Sequence, residues 1–200
     1  MDKDMRQELF GNAELGLLYS GTIGKAHQFD EFILLARELR RRGASVAFCF
    51  AGRGNCYQQL REMVTVEDSN ITFAGFAEEK LLPLRLAAAD IHLISLRQGW
   101  EGIVVPSKFF GSLAAGRPLL YCGTLDSCIA KWIQDEKLGF IVTNDTINDI
   151  SDLLETLSHD KKRLQQMQDR AFMFYKEHFS KEIQCDRWDK SLREYINELI

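Results

Sequence analysis

Six short apolar runs, each followed by a helical pattern or a turn, constrain the fold of this chain most strongly. Most of the runs are nearly continuous in apolar residues, which is typical of strands buried on both faces. Strands of this kind that alternate with helices predict a parallel sheet covered on both sides. The predicted strands are Leu15–Ser20, Ser45–Ala51, Ile71–Ala74, Asp90–Leu96, Pro118–Cys122 and Phe140–Thr143.

Helices are predicted between these strands and throughout the C-terminal part of the chain. The fold class is therefore α/β, a doubly wound, Rossmann-like parallel sheet of about six strands with a helical C-terminal extension. In the extension, helix starts are predicted at Asn148 or Asp149 and at Ser180, where a polar residue precedes a periodic run. The predicted crossover helices are Phe29–Arg42, Cys56–Val64, Glu78–Ala89, Ser107–Ala115 and Asp126–Glu136.

The C-terminal extension is too rich in apolar residues for a solvated tail. Two explanations remain open: these residues pack on this domain's own sheet, or some of them cover a partner domain. The residues concerned are Phe172, Phe174, Tyr175, Phe179, Trp188, Leu192 and Tyr195.

Composition excludes several classes of protein. With 46% hydrophobic and 27% charged residues, the 200-residue chain can bury one core. Its net charge of −4 argues against a nucleic-acid binder, which normally carries a positive field. Its five cysteines are odd in number and lack zinc spacing, so we expect a reducing, cytoplasmic environment. No apolar run approaches the ~20 residues of a membrane span.

The loops after the first four strands are the candidate ligand-binding segments, since ligands of open parallel sheets bind at the carboxyl ends of strands. These loops cover residues 20–27, 51–55, 74–80 and 97–108. All of them except 74–80 contain two glycines. Glycine lets a ligand approach the backbone, but a tight turn needs glycine as well. Each glycine alone is therefore weak evidence for a site.

The stretch VVPSKFFG, residues 104–111, carries the strongest local signal. Ser107 is expected to cap a helix, and the N–H groups of Lys108 and Phe109 are expected to face the cleft and suit a phosphate. Lys108 adds a mobile positive charge, and Gly111 costs ~1 kcal/mol relative to alanine, so a neighbour or ligand should need the space. The alternative is an ordinary capped crossover helix with Lys108 in solvent and Gly111 packing on a neighbour.

Catalytic motifs with fixed spacing, such as G-x-S-x-G and H-E-x-x-H, do not occur in the chain. His92 lies inside a predicted strand and is interpreted as a core histidine. The first strand lacks the G-x-G-x-x-G pattern, which argues against a nicotinamide dehydrogenase.

Five stretches together resemble the C-terminal half of a family 4 glycosyltransferase with the two-domain GT-B architecture. They are LLYSGTIGKAHQFDEF, FAGRGN, NITFAGFAEEKLLPLRLAAADIHLISL, EGIVVPSKFFGSLAAGRPLLYCG and GFIV. The resemblance covers Arg6 to about Ser180 and is particularly to enzymes that assemble capsule, exopolysaccharide or lipid-linked cell-surface sugars. It implies a retaining transferase that uses a UDP- or GDP-sugar and needs no metal or other cofactor.

The resemblance also implies roles for individual residues. Phosphates of the donor would lie beside Gly21 and Thr22 and near Lys108, and its base near Phe76. The implied catalytic residues are Lys108 and Glu101, the candidate for the acidic group near the donor sugar. The implied donor-binding residues are Gly21, Thr22, Lys25, Gly52, Arg53, Gly54, Phe76, Arg97, Ser107 and Gly111.

Two departures from the family pattern concern charge. Ile103 and Gly111 stand where the usual pair of glutamates is expected, and Gly111 replaces the one that binds ribose. Thr22 and Gln28 stand where the phosphate-binding arginine and lysine are expected. A diphosphate left without cations in a water-poor cleft is costly, so other cations should replace them. The candidates are Lys25, Arg53, Arg97 and Lys108.

The resemblance implies three regions: a link between domains (1–14), a nucleotide-sugar-binding domain (15–145), and helices that pack on this domain or on an absent N-terminal one (146–200). We expect a piece of a two-domain enzyme that is inactive alone; the alternative is a natural subunit that pairs with a separate acceptor-binding protein. An N-terminal acceptor-binding domain would allow peripheral association with the inner face of a membrane. A degenerate module that binds another protein is the rival to an enzyme.

Overall fold

The computed structural model describes residues 2–198, in which six parallel strands form one sheet. Each strand begins and ends within two residues of its predicted position, which confirms all six. The strands are β1 Leu15–Thr22, β2 Val46–Arg53, β3 Ile71–Ala74, β4 Ile91–Ser95, β5 Leu119–Cys122 and β6 Gly139–Val142.

Helices connect the strands, and three further α-helices follow β6 within the described residues. All five predicted crossover helices are present, each shorter than its prediction, and α9 begins directly after Ser180 as predicted. Helix α1 was not predicted. The start of α8 within the predicted helical extension was not predicted either; its first turn is capped by the Asp160 carboxylate, which accepts from the Arg163 N–H at 2.9 Å. The helices are α1 Lys3–Phe10, α2 Asp30–Arg41, α3 Tyr57–Met63, α4 Leu82–Ala88, α5 Lys108–Ala114, α6 Cys128–Asp135, α7 Ile147–His159, α8 Lys161–His178 and α9 Lys181–Glu198.

The strand order is β3-β2-β1-β4-β5-β6, which confirms the doubly wound Rossmann-like fold. From β1 the chain proceeds toward β2 and β3, and from β4 it proceeds in the opposite direction, toward β5 and β6. The loops that leave β1 and β4 therefore diverge and open a crevice at the carboxyl edge of the sheet. This is the point at which the fold offers a binding site.

Apolar side chains cover both faces of the sheet, with successive strand residues pointing to opposite faces. Leu17 and Tyr19 of β1 belong to the largest core, under α2 and α7, whereas Leu18 between them belongs to a core under α1 and α4. A third cluster, around Phe109 of α5, packs against α6 and α8. Burial on both faces explains why the strands read as continuous apolar runs.

Helix α1, within the segment interpreted as a link between domains, packs against the sheet. Its Leu9 and Phe10 are buried, and the Phe10 ring lies where Gly16 has no side chain. The Arg6 guanidinium pairs with the buried Asp90 carboxylate at 2.8 Å and donates to the Ala88 carbonyl at 3.1 Å. This segment is therefore part of the folded domain described here.

The apolar residues of the C-terminal extension divide into two groups. Phe174 is buried, and the Phe179 ring packs against Phe109 and Trp132 with ring centres 6.1 and 5.5 Å apart. By contrast, four apolar side chains of α9 are each more than half exposed: Trp188, Leu192, Tyr195 and Ile196. Helix α8 thus packs on the domain, while α9 presents an apolar face to solvent. Within residues 2–198, no helix combines the length and apolarity needed to cross a bilayer.

Candidate functional site

A cleft of about 450 Å³ lies at the carboxyl edge between β1 and β4. Its polar end is formed by the loop after β1 and the start of α5, and its other end is formed by apolar side chains of α4 and of the loop before α5. Its lining residues are Leu18, Ser20, Gly21, Thr22, His27, Phe76, Leu82, Leu86, His92, Leu93, Val104, Val105, Pro106, Ser107, Lys108, Gly111 and Ser112.

Lys108 reaches from α5 across the polar end of the cleft to β1. Its Nζ lies 3.4 Å from the Thr22 carbonyl oxygen and 4.8 Å from the centre of the Tyr19 ring. Gly21 permits this approach, because a Cβ there would lie 2.8 Å from Lys108 Cε and its φ of 136° disfavours a side chain. The lysine is therefore half-buried at the polar end of the cleft and does not extend into open solvent.

The ammonium group of Lys108 lacks a carboxylate partner within the cleft. Burial lowers its pKa to about 8, because the charged form is desolvated. Of the residues the structure describes, no aspartate or glutamate lines the cleft. A partly buried cation of this kind favours an anionic ligand, which would supply the missing charge.

His27 faces the same end of the cleft and was not selected from the sequence. Its Nδ1 lies 2.8 Å from the Ser95 carbonyl oxygen, which can only accept, so Nδ1 carries the hydrogen. Burial, and then the charge of Lys108, lower the pKa of the imidazole. The neutral ring leaves Nε2 as an acceptor for a ligand hydroxyl. The sequence feature that could have indicated His27 is its position in the glycine-containing loop after β1, which continues to residue 27 before α2 begins.

The start of α5 differs from its prediction in two respects. Ser107 occupies the N-cap position, but its side chain makes no capping hydrogen bond, because its backbone is already helical with φ −57° and ψ −23°. The Phe109 N–H, expected to face the cleft, donates to the Pro106 carbonyl at 3.0 Å. Ser107 is exposed beside the cleft, and its hydroxyl is available to a ligand.

Two of the predicted glycines have a structural explanation that requires no ligand. A Cβ on Gly52 would lie 1.9 Å from the Gly21 oxygen, and one on Gly54 would lie 2.2 Å from the Ile23 oxygen. Neither glycine lines the cleft. They allow the extensions of β1 and β2 to run close together, and so they shape the β1 loop from behind.

Arg53 and Phe76 form a pair beside the cleft. The Arg53 guanidinium carbon lies 4.2 Å from the centre of the Phe76 ring, a cation–π contact. Phe76 lines the cleft and is 55% exposed, so one face of its ring is free to stack on a flat ligand. Arg53 is thus connected to the cleft through Phe76.

Three further predicted residues lie outside the cleft lining. Lys25 and Arg97 are exposed, and the Arg97 backbone N–H donates to the Ala26 carbonyl at 2.8 Å. The Glu101 carboxylate accepts from the Gly99 N–H at 2.7 Å and is directed into its own loop. Among the four candidate cations, only Lys108 lines the cleft of the described structure.

Gly111 borders the cleft on its α5 side. A Cβ built there would meet no atom within 4 Å, so neither a neighbour nor a turn requires the glycine. The alternative that Gly111 packs tightly on a neighbour is therefore wrong. Ile103, at the other glutamate position of the family pattern, is 73% exposed.

His92 lies at the buried floor of the cleft and is a core residue, as predicted. Its Nδ1 is 2.8 Å from Ser112 Oγ and its Nε2 is 2.9 Å from the Leu86 carbonyl oxygen. Complete burial lowers its pKa to about 4, so the ring is neutral. Among residues 2–198, no group of three or more His, Cys, Asp or Glu side chains is arranged to hold a metal ion.

Comparison with known proteins supports a glycosyl transferase family and this fold. Residues 14–160 match the family described as glycosyl transferases group 1. The α-D-kanosaminyltransferase of Streptomyces kanamyceticus is 24% identical over 157 residues, which are 78% of this chain and 39% of that enzyme.

Two solved structures share the fold. The C-terminal domain of LpcC, a group 1 glycosyl transferase family protein from Francisella tularensis, has a TM-score of 0.65 at 17% identity, covering 90% of this chain and 93% of that chain. HepE from Anabaena, in complex with UDP, has a TM-score of 0.66 at 13% identity, covering 97% of this chain and 54% of that one.

The chain thus spans well under half of the kanosaminyltransferase, although it matches nearly all of the LpcC domain. The family match covers most of the chain and includes β1 to β6 and every residue proposed for the site. The family match and the shared fold agree. The chain belongs to the group 1 glycosyl transferases, with a GT-B-type glycosyltransferase domain.

Proposed function

We propose that this chain is the donor-binding domain of a retaining glycosyltransferase and that its cleft holds a nucleotide sugar, either a UDP- or a GDP-sugar. The observation that carries the proposal is Lys108, a cation held against Gly21 and Thr22 with no carboxylate partner in the cleft. The ligand's diphosphate would lie at this polar end. The free face of Phe76 and the apolar wall formed by Leu82 and Leu86 suit the base.

Lys108 would contribute to the chemistry as well as to binding. Departure of a nucleoside diphosphate builds negative charge on its phosphate oxygens, and a fixed cation stabilises that charge without a metal ion. Ser107 and the neutral His27 would orient the ligand by hydrogen bonds. Glu101 remains our candidate for the acidic group near the donor sugar; it would have to turn from the Gly99 N–H to reach it.

The acceptor would bind elsewhere, on an N-terminal domain or on a separate subunit. The exposed apolar face of α9, with Trp188, Leu192 and Tyr195, supports a partner of this kind, because an apolar stripe on one helix is costly to leave in water. We propose a cell-surface polysaccharide or lipid-linked acceptor, a cytoplasmic location and contact with the inner face of the membrane through the acceptor-binding part. Residues 1–14 and 146–200 would flank the nucleotide-sugar-binding region.

Calorimetric titration with UDP, GDP and ADP tests the proposal. One of them should bind saturably without added metal, and a ligand at 100 times its Kd should stabilise the chain by about 2.7 kcal/mol. We expect no sugar transfer by this chain alone, because an acceptor held next to the donor supplies much of the rate enhancement. Transfer at an enzymatic rate would contradict this part of the proposal.

A degenerate protein-binding module is the second candidate. It is favoured by Gly111, which replaces the ribose-binding glutamate of the family pattern. Among the described residues, no other carboxylate lines the cleft to take over that role. If none of the three nucleotides binds or raises the melting temperature at millimolar concentration, the donor-binding proposal fails. Retained binding of a partner domain through α9 would then support the module.

A further inference from the structure

A second groove, of about 340 Å³, lies between α6, the start of β6 and α8. It is lined by Gly139 and Phe140, the first two residues of β6, and so lies toward the amino end of that strand. The donor cleft opens at the carboxyl ends of the strands. The two cavities are therefore separate, and this groove has no part in the function proposed above.

Three cations surround the groove: Lys137, Arg163 and Arg170. Its lining includes no acidic residue, and none of these three side chains forms an ion pair or a side-chain hydrogen bond within residues 2–198. This local excess of positive charge occurs in a chain whose net charge is −4. Arginines suit phosphate in particular, because a guanidinium can donate two parallel hydrogen bonds.

The floor between these cations is apolar. It consists of Ile133, which is buried, and of Phe140 and Met167, which are partly buried and remain accessible to a ligand. Arg163, Met167 and Arg170 lie on one face of α8, at positions i, i+4 and i+7. The helix therefore places an apolar contact directly between two cations. Such an arrangement matches an anion that carries a short apolar group.

The backbone at Lys137 supplies an independent observation. This residue follows α6 with φ +54°, and it is the one non-glycine residue with positive φ in the described part of the chain. The next N–H, of Leu138, donates to the Ile133 carbonyl at 3.0 Å and closes the end of the helix. Glycine is the preferred residue at such a position. A lysine here costs stability, and its ammonium group beside the groove gives a reason for it.

We propose that this groove binds a phosphate ester whose carbon portion is apolar. The phosphate would be held by Arg163, Arg170 and Lys137, and the carbon portion would lie on Phe140 and Met167. The ester can come from a lipid headgroup or from a soluble metabolite, since both present the same chemistry to these residues.

Calorimetry with methyl, butyl and hexyl phosphate tests both halves of the site. Affinity should rise along the series by up to about fourfold for each methylene that is buried on the floor. Inorganic phosphate should bind more weakly than hexyl phosphate. Vesicles that contain phosphatidic acid distinguish the two sources: binding that Lys137→Gln weakens indicates a lipid headgroup, and binding of the soluble esters alone indicates a metabolite.

A pair of variants at position 137 separates binding from folding. Lys137→Gly and Lys137→Gln should each weaken hexyl phosphate binding at least about tenfold, since each removes a charge-assisted hydrogen bond. Only Lys137→Gly should raise the melting temperature, because it alone relieves the positive φ. Lys131→Gln, which changes a lysine of α6 outside the groove, should leave binding unchanged.

Three results would overturn the proposal. They are the absence of saturable binding of hexyl phosphate at millimolar concentration, equal affinity of wild type and both Lys137 variants, and an equal loss with Lys131→Gln. UDP binding should be unaffected by all three variants, so failure here is distinguishable from failure of the donor site.

Discussion

Glycines occur on both sides of the donor cleft, but their surroundings differ. On the β2 side, a Cβ on Gly52 would lie 1.9 Å from the Gly21 oxygen, so the backbone of the neighbouring strand excludes any side chain. On the α5 side, a Cβ on Gly111 would meet nothing within 4 Å. The first glycine is explained by the folded chain itself. The second is not, and the space beside it is available to a ligand or to a partner.

Lys108 connects the two sides. It begins on α5, one turn before Gly111, and ends against Gly21 on the β1 side. Close packing at Gly52, the charge of Lys108 and the open space at Gly111 are therefore three separate features of the cleft. A different substitution tests each of these features.

Gly52→Ala should have the largest effect, on stability. The new methyl group would overlap main-chain atoms of β1, which cannot rotate away. The free energy of unfolding should therefore fall by about 3 kcal/mol or more. For a chain of this size that corresponds to a fall of about 6–12 °C in melting temperature. Gly75→Ala is the matched control, because a Cβ there meets nothing within 4 Å. Similar melting temperatures for the two variants would show that the close approach is not real.

Lys108→Met should chiefly affect ligand binding. Loss of a charge-assisted hydrogen bond costs about 1.5–3 kcal/mol, so UDP affinity measured by calorimetry should fall about 10- to 150-fold. Stability near neutral pH should not fall, because methionine replaces a buried cation without a partner carboxylate. Lys25→Met, at an exposed position outside the cleft, is the control. Equal losses in the two variants would remove Lys108 from the site.

The pH dependence of UDP binding tests whether the positive charge of Lys108 is needed. The pKa of Lys108 lies at about 8, below its ordinary value, so the folded protein loses this charge as pH rises through 8. Only the charged form suits a diphosphate, and UDP affinity should therefore fall about tenfold between pH 7 and pH 9. Lys108→Arg should abolish this decrease, since arginine stays charged. A decrease of the same size in that variant would assign the titration to another group.

The same pKa shift affects stability with a defined sign. Between pH 8 and the ordinary lysine value of 10.5, the unfolded chain binds more protons at this residue than the folded chain does. Stability therefore rises with pH across this window, and the contribution of Lys108 to that rise should disappear in Lys108→Met.

The sheet could be predicted from the sequence because both of its faces are buried. Continuous apolar runs such as Leu119–Cys122 are interpreted as buried strands when helical patterns alternate with them. Helix α1 was missed because only Leu9 and Phe10 of its eight residues are buried, and its anchor, the Arg6–Asp90 pair, joins residues far apart in sequence. Long-range pairs of this kind leave no local pattern.

The site could be predicted in part. The location of the cleft follows from the strand order. The role of Lys108 could be predicted from its position at the end of the loop that precedes α5. The sequence could not distinguish Gly52 from Gly111, because the reason for a glycine lies in the atoms opposite it. It also could not show that Lys25 and Arg97 lie outside the cleft, since the direction of an exposed side chain depends on the path of its loop.

Gly111→Ala should have the smallest effect, and in the opposite direction to Gly52→Ala. Alanine is preferred over glycine inside a helix by up to about 1 kcal/mol, and the new methyl group meets no atom. The melting temperature should therefore rise, by at most about 2–4 °C. UDP affinity should be unchanged if the space is unused, and reduced if the bound nucleotide occupies it. A fall in melting temperature would show that the space at Gly111 is already filled in the folded protein, and the contrast between the two sides of the cleft would no longer hold.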